Sequence, residues 1–322
     1  MTKKKSIFSQ KVIVLIIWIV LYVVFRLISS DFGKYTTFLS MLDYSYYYVL
    51  MAIGVSFPLI TGGVDLSIGT GMVCYGLAGG YLIRELGCPT GLAILIAILF
   101  GCLIGLANGV LVAVMDLPPF LATLCTCMIT RGLGSVCSQS FAIPWPTAKQ
   151  DNGWFHSIFK ITVGGTKLPL GFVWIILLML LMAYVLTHTK LGRYTIAIGS
   201  NKEATILSGI NVKAYHIAAY VVCGLFAGLA AIAYANAIPT IQPGTGAGME
   251  MDAIGGAIVG GCSATGGYGT IIGAVIGAYV IMLLKTGLPY IGLQANWQQI
   301  ITGIVLIGAV MIDIIKKRRA AK

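Results

Sequence analysis

Long runs without a charged residue alternate along this chain with short charged or glycine-rich segments. Crossing a bilayer takes about 20 consecutive apolar residues, and seven charge-free runs approach or exceed that length: Tyr44–Val64, Leu66–Ile83, Leu86–Met115, Leu168–Thr187, Ala214–Met249, Ala253–Leu284 and Thr286–Ile312. The pattern predicts ten membrane segments, at 12–29, 44–61, 66–84, 91–115, 118–138, 170–188, 214–235, 252–263, 269–286 and 297–314. The segment at 252–263 is too short to span the bilayer straight, which predicts a broken or re-entrant element there.

Composition agrees with a membrane protein. Of the 322 residues, 58% are hydrophobic and only 10% are charged, whereas soluble domains carry about 25% charged residues. The strand-and-turn repeat of a membrane barrel is absent from the sequence, so the backbone must satisfy its polar groups in helices. We therefore expect an all-α, polytopic transmembrane helical bundle without a soluble domain, with residues 1–322 forming a single transmembrane domain.

The basic residues predict the orientation of the chain. The net charge is +11, and thirteen of the 21 basic residues fall in three segments: Lys3, Lys4, Lys5 and Lys11, then Lys190, Arg193, Lys202 and Lys213, then Lys316, Lys317, Arg318, Arg319 and Lys322. Such clusters are typical of cytoplasmic flanks and not of nucleic-acid binding. Both ends and a loop at about 188–213 are expected in the cytoplasm, a loop at about 139–169 outside, and the first apolar run as a retained helix.

A carboxylate stands alone between two apolar runs in "TGGVDLSIGTG", residues 61–71. Asp65 is flanked by Gly62, Gly63, Gly69 and Gly71. Since a charge in a membrane usually faces a cavity or a partner, Asp65 could border a transport path or carry a proton, and it could equally be a structural acid capping a helix end. Arg131 is a possible partner of Asp65 or Asp116.

Glycine recurs at four-residue spacing on several predicted helices: Gly101, Gly105 and Gly109, then Gly224 and Gly228, then Gly269, Gly273 and Gly277. Small residues at this spacing favour close packing of membrane helices. A second glycine-rich break, "GGCSATGGYGT" at 260–270, faintly resembles the first one, as in an inverted repeat. An inverted repeat would place the breaks on opposite sides, but our count of segments places both on the cytoplasmic side.

The central loop "GRYTIAIGSNKEATILSGINVKAYH", residues 192–216, predicts a short docking helix. Ser200 and Glu203 fit a capping box that begins with Ser200, and Gly209 is a suitable C-terminal stop. A helix of two turns is not stable alone. Its apolar side, formed by Ile206, Leu207 and Ile210, therefore predicts a soluble cytoplasmic partner or contact with the membrane surface.

Motifs of catalysis and cofactor binding are absent from the sequence. It contains no phosphate-binding G-x-x-x-x-G-K-[ST], no H-E-x-x-H and no G-x-S-x-G. Most of the eight cysteines lie in apolar runs and form no C-x-x-C pair. We therefore expect no enzymatic activity, no metal and no cofactor on this chain.

Side chains suited to a hydroxylated solute, or to anchoring at the membrane interface, are Tyr46–Tyr48, Asn236, Gln242, Asn296, Trp297 and Gln298. Lys285 is expected to extend its ammonium to an interface.

Five motifs together resemble one family, the membrane permease subunits of ABC transporters that import ribose, xylose, arabinose or galactosides. These motifs are "GGVDLSIG" (62–69), "GLANGVLVA" (105–113), "PPFLATL" (118–124) with "RG" (131–132), "AIGSNKEATILSGI" (197–210) and "GGCSATGGYGT" (260–270), in the order of the family and over about residues 50–315. Glu203-Ala204-Thr205-x-x-x-Gly209 is similar to the coupling motif of ABC permeases, with Thr205 where the usual residue is Ala.

The resemblance implies a function and a set of partners. A pair of permease subunits would form one path for a monosaccharide or related sugar in the inner membrane of a prokaryote. Each would dock on a cytoplasmic ATP-binding subunit, which uses ATP, and an extracytoplasmic binding protein would deliver the sugar. The implied ATPase-coupling residues are Ser200, Asn201, Glu203, Ala204, Ile206, Leu207 and Gly209.

The path or helix-break residues considered are Gly62, Gly63, Asp65, Ser67, Gly69, Asn108, Gly260, Gly261, Ser263, Gly266 and Gly267. The alternative function is a proton-coupled secondary transporter that uses Asp65 as its proton carrier. A membrane protein with a structural role and no transport activity is a third possibility.

Overall fold

Helices form nearly all of the secondary structure in the computed structural model, which describes residues 3–320. Thirteen α-helices lie in this range: α1 Lys3–Ile28, α2 Tyr35–Thr61, α3 Ile68–Glu85, α4 Thr90–Ala113, α5 Pro119–Cys137, α6 His156–Phe159, α7 Leu170–His188, α8 Lys190–Ser200, α9 Lys202–Leu207, α10 Val212–Ala237, α11 Met249–Val259, α12 Ile271–Gly287 and α13 Ala295–Ala320. The four short strands are β1 Ile143–Pro144, β2 Ile161–Val163, β3 Thr166–Leu168 and β4 Thr240–Ile241.

The predicted all-α membrane bundle is confirmed. Each of the ten predicted segments coincides with one of the helices α1–α5, α7 and α10–α13. Within residues 3–320, seven helices are long and apolar enough to cross a membrane. The short predicted segment at 252–263 corresponds to α11, whose 11 residues extend about 16 Å, half the thickness of a hydrocarbon core of about 30 Å.

Two helices differ from the pattern. α2 begins at Tyr35, well before the predicted residue 44, and neighbouring segments hold its polar first turns: the Tyr35 hydroxyl donates to the Lys167 carbonyl at 2.6 Å and the Thr37 hydroxyl to the Asp31 carbonyl at 2.8 Å. The loop predicted at 188–213 contains α8 in addition to the expected short helix. Thr189 caps α8, its side chain accepting a hydrogen bond from the Gly192 N–H.

Glycine-mediated packing holds the centre of the bundle. α2 is buried without interruption from Ser45 to Thr61, and α10 lies against it and against α4. A Cβ placed on Gly101 would lie 2.3 Å from the Gly224 carbonyl oxygen, and one on Gly105 would lie 2.4 Å from the Tyr220 carbonyl oxygen. The predicted stripes therefore bring α4 and α10 into backbone contact. The stripe on α12 does the same against α11, where Gly273 faces the Gly260 carbonyl.

Short strands close one end of the bundle. β1 pairs antiparallel with β4, Ile143 opposite Ile241, and β2 pairs antiparallel with β3. The Trp145 indole N–H donates to the Gly76 carbonyl at 2.8 Å, which fixes β1 on α3. α7 leads away from this end to α8 and α9, and α10 returns from them to β4, so the strands and the α8–α9 segment lie at opposite ends of the bundle.

Candidate functional site

The first helix break begins where α2 ends. Gly62 adopts a left-handed conformation with φ of 88°, and its N–H and that of Gly63 return to the carbonyls of Leu59 and Pro58. A side chain at Gly62 would be strained in this conformation. The chain then passes through 63–66 without helical structure and enters α3 at Ile68. This break redirects the backbone between two neighbouring helices.

Asp65 supports the second side of this break by hydrogen bonding. The carboxylate is 2% exposed. Its Oδ1 accepts from the Ser67 N–H at 2.9 Å and from the Ser67 hydroxyl at 2.6 Å. Asn108 on α4 donates to the Ser67 Oγ at 2.9 Å and lies 3.4 Å from Oδ1. This network gives Asp65 a structural role: its carboxylate holds Ser67, the residue at the start of α3, and Asn108 ties both to α4.

The charge of Asp65 has no cation beside it among the side chains that the structure describes. Arg131 is exposed. Asp116 forms its ion pair with Lys202, at 3.7 Å. Pairing of Arg131 with Asp65 or Asp116 is therefore not observed. Hydrogen-bond donors compensate the buried carboxylate instead, which is the usual requirement for a buried polar group.

The second helix break, residues 260–270, lies against the first. Gly261, Gly266 and Gly267 have φ values of 103°, 81° and 80°. The Gly267 N–H donates to the Ile60 carbonyl in the last turn of α2 at 2.8 Å, and a Cβ on Gly266 would lie 2.7 Å from the Gly62 nitrogen. The two breaks thus meet at one end of the bundle, as our count of segments predicted.

The end of α8 completes this meeting point. A Cβ on Gly199 would lie 1.8 Å from the Ile60 carbonyl oxygen and 2.5 Å from the Gly267 nitrogen. The Ser200 hydroxyl lies 3.3 Å from the Gly267 carbonyl, to which it donates. We call this contact of Ile60–Gly62, Gly199–Ser200 and Gly266–Gly267 the three-way junction. It was missed by the sequence analysis, and Gly199 gave no signal beyond being a glycine at the edge of a motif.

The short helix predicted in the central loop is α9, but its cap was assigned to the wrong residue. Ser200 is the last residue of α8, and its hydroxyl donates to the Ile196 carbonyl at 2.8 Å. Asn201 caps α9 by accepting from the Ala204 N–H at 2.9 Å. Asn and Ser are comparable N-caps, and Asn201 takes this position because Ser200 still belongs to the unpredicted α8. Gly209 follows α9 with φ of 74°, which confirms the predicted stop.

α9 presents apolar side chains to the outside of the molecule. Ile206 is 53% exposed and Leu207 is 88% exposed, whereas Thr205 is buried and faces the bundle. Glu203 and Ala204 are exposed on the same short helix. Of the residues predicted for coupling, all except Ser200 therefore lie on α9 or at its ends, and Leu207 is held away from the bundle.

Two of the predicted break residues pack neighbouring helices together. A Cβ on Gly69 would lie 2.5 Å from the Glu250 carboxylate and 2.7 Å from the Gly246 carbonyl, so Gly69 packs α3 against the start of α11. A Cβ on Gly260 would lie 2.0 Å from the Gly273 carbonyl oxygen, so Gly260 packs the end of α11 against α12. Ser263 stays within the second break, where its N–H donates to the Tyr268 carbonyl at 2.9 Å.

Lys285 does not extend to an interface as predicted. It forms an ion pair with Asp252 in the first turn of α11, and both residues are largely buried. Its ammonium lies 5.3 Å from the centre of the Tyr48 ring. The reason is the α11–α12 hairpin, which brings the two ends of the charge-free run 253–284 together.

Comparison with known proteins gives one consistent result. The family model described as "Branched-chain amino acid transport system / permease component" matches residues 37–310. The ribose import permease protein RbsC of Escherichia coli K12 is 34% identical over 307 residues, 93% of this chain and 92% of that protein. The galactose/methyl galactoside import permease protein MglC of the same strain is 31% identical over 302 residues, 88% of this chain and 89% of that protein. The fructose import permease protein FruG of Bifidobacterium longum is 32% identical over 273 residues, 83% of this chain and 79% of that protein.

Proposed function

The chain belongs to the family of ABC-importer permease subunits that includes the ribose, galactose and fructose import permeases, and on that basis we propose that it forms the membrane path for a monosaccharide or a closely related sugar. The observation that carries the proposal is similarity over nearly the whole length of sugar import permeases. Family membership favours this function over the proton-coupled transporter based on Asp65. The carboxylate's hydrogen bonds to Ser67 and Asn108 also give it a structural role.

α9 is the docking element for a cytoplasmic ATP-binding subunit. The side chain of Leu207 is almost fully exposed on a six-residue helix, and a large apolar side chain in that position gains stability only when another surface covers it. ATP hydrolysis belongs to that partner, because this sequence has no phosphate-binding motif. This chain itself then contributes translocation and needs no cofactor.

The three-way junction is the route by which motion of α9 reaches the path. α9 follows α8 after a single residue, Asn201. The end of α8 contacts the Ile60 carbonyl and the Gly267 backbone directly, with no side chain between them to absorb a displacement. A shift of the docked α9 therefore moves both helix breaks together, and these breaks set the direction of α2, α3, α11 and α12.

The orientation follows from the helix lengths and the basic residues. α1 and α13 have 26 residues each, about 39 Å, so their two ends lie on opposite sides of a bilayer. α12 runs away from the second break and ends at the turn 288–291. α1 ends near this turn, and α13 begins near it. Both chain ends then share the side of α8 and α9, the cytoplasm, in the inner membrane of a prokaryote. The strand-bearing end faces outward, where a sugar-binding protein docks, and a second permease subunit completes the path.

Co-purification with a candidate ATP-binding subunit tests the docking. Leu207→Asp should abolish capture of that subunit from detergent-solubilised membranes, since it places a charge in the contact without removing packing inside the bundle. The matched control is Val163→Asp, an apolar position on β2 at the opposite end that is also exposed, at 56% against 88% for Leu207, and it should leave capture unchanged. Equal capture by wild type and Leu207→Asp would contradict docking through α9.

Uptake into proteoliposomes tests the function itself. The complex with its ATP-binding subunit and binding protein should accumulate D-ribose, D-galactose or D-fructose only when ATP is present. Accumulation driven by a pH gradient without ATP, or transport of L-leucine in place of every sugar, would overturn the proposed function.

A further inference from the structure

A cavity with both apolar and polar walls lies beside the first turn of α11, between α2, α12 and α13. Its volume is about 540 Å³, large enough for a monosaccharide. α11 ends at the second break, which lies at the cytoplasmic end of the bundle in the proposed orientation, and extends about 16 Å from it. The cavity therefore lies near the middle of the membrane, where discontinuous helices of transporters form their binding sites.

The cavity wall carries both charges of a buried ion pair. Asp252 and Lys285 line it and bind each other, and the Tyr48 ring lies beneath the Lys285 ammonium. Glu250, the other acid of this turn, accepts from the Gly248 N–H and lies against Gly69 of α3. A salt bridge at this depth is costly to desolvate and gives little net stability, so packing of the hairpin alone does not account for it.

α13 supplies two neutral polar groups to the same cavity. Thr302 is 9% exposed, lines the cavity, and its hydroxyl has no hydrogen-bond partner among the residues that the structure describes. Gln299 lies one turn earlier on the same side and is exposed. A buried hydroxyl without a partner is unfavourable unless a ligand or water satisfies it.

We infer that this cavity is a binding site for a neutral, polyhydroxylated ligand, with Asp252 accepting hydrogen bonds from adjacent hydroxyls, Lys285 donating to a ring or hydroxyl oxygen, and Thr302 contributing one further bond. The Tyr48 ring offers an apolar face to the C–H groups of a sugar. Because the two charges cancel, the wall attracts neither cations nor anions, and a zwitterion would have to separate the pair. This inference rests on the proposed function and names where the path recognises its sugar.

Saturation-transfer NMR on the full chain in nanodiscs tests the site, with D-ribose, D-galactose, D-fructose and L-leucine as separate probes. We expect transfer to at least one of the sugars and none to leucine. Asp252→Asn should weaken that sugar's binding by about tenfold or more and Thr302→Val by about threefold, as expected for charged and neutral hydrogen bonds respectively. Thr302→Val removes no existing bond, so the fold is retained. The control Asp43→Asn disrupts the other buried ion pair, with Lys160, and should leave binding unchanged.

Two results overturn the inference: no transfer to any of the three sugars, or transfer that Asp252→Asn and Thr302→Val leave at the wild-type level. ATP-driven uptake by the assembled transporter separates this failure from failure of the proposed function. If the transporter takes up sugar but Asp252→Asn and Thr302→Val do not change sugar binding, only the assignment of the cavity as the binding site is refuted. Uptake of leucine and of no sugar refutes both.

Discussion

Gly199→Ala gives the sharpest test of the three-way junction. The new Cβ would lie 1.8 Å from the Ile60 carbonyl oxygen, and real Cβ atoms essentially never come closer than 3.0 Å to such an atom. The end of α8 must therefore move away from α2 by at least about 1.2 Å. The Ile60 carbonyl also accepts the 2.8 Å hydrogen bond from Gly267, so the displacement strains the contact between both helix breaks as well.

The expected cost of Gly199→Ala is about 2 kcal/mol, in the range of overpacking in a close-packed interior. If this cost falls on only one of two transport states, the ratio of their populations changes by a factor of about 30. We expect the variant to capture the ATP-binding subunit normally, since α9 is unchanged, but to hydrolyse many more ATP molecules for each sugar transported. The assay measures uptake and ATP hydrolysis on the same proteoliposomes.

Gly132→Ala is the matched control for this experiment. Gly132 also lies in a helix, α5, but a Cβ there meets no atom within 4 Å, and the substitution should stabilise the helix by about 0.5–1 kcal/mol. An unchanged ratio of sugar to ATP in Gly199→Ala, with normal thermal stability, would refute the idea that the junction transmits the motion of α9.

Three further predictions follow from local contacts. Asp65→Asn keeps an acceptor for Ser67 and should leave assembly and uptake near wild type. Asp65→Leu leaves buried donors without an acceptor and should lower the unfolding free energy by about 1–3 kcal/mol in a detergent melt. Equal stability of the two variants in that melt would contradict the role of the carboxylate in holding the start of α3. Gly224→Ala places a Cβ 2.1 Å from the Gly101 carbonyl oxygen and should cost about 1–3 kcal/mol, so an unchanged melting temperature would show that α4 and α10 separate easily. Asn201→Ala should cost α9 about 1 kcal/mol and weaken capture of the ATP-binding subunit, whereas Ser200→Ala should leave capture intact if Asn201 is the cap.

The sequence predicted the membrane segments well because length and hydrophobicity determine them almost alone. A charge-free run of 20 residues has few alternatives in a bilayer, and all ten predicted segments coincide with helices. Glycine spacing was also informative, since Gly101 and Gly224 contact each other as small residues at a tight helix crossing are expected to do.

Contacts between distant segments were the part that the sequence did not reveal. The three-way junction joins residues near 60, 199 and 267 through backbone atoms, and backbone contacts leave little trace in residue type. The cap of α9 was misassigned because α8 is short and far less apolar than the membrane-spanning helices, so it was not recognised as a helix. For Lys285, a signal existed: Asp252 and Lys285 lie on opposite sides of the second break, on the two helices that a hairpin there brings side by side.

The pairing of Asp252 with Lys285 also constrains how the protein is made. Either charge alone opposes insertion into a bilayer by roughly 2.5–3.5 kcal/mol on translocon scales, and the 11 residues of α11 are too few to offset that cost by themselves. Once the two helices lie side by side, the charges neutralise each other, and Gly256 and Gly277 admit the close approach that this requires. Residues 249–287 are therefore expected to leave the translocon as one helical hairpin, so that a lesion at either charge should lower the amount of inserted protein in addition to any effect on sugar binding in the molecules that do insert.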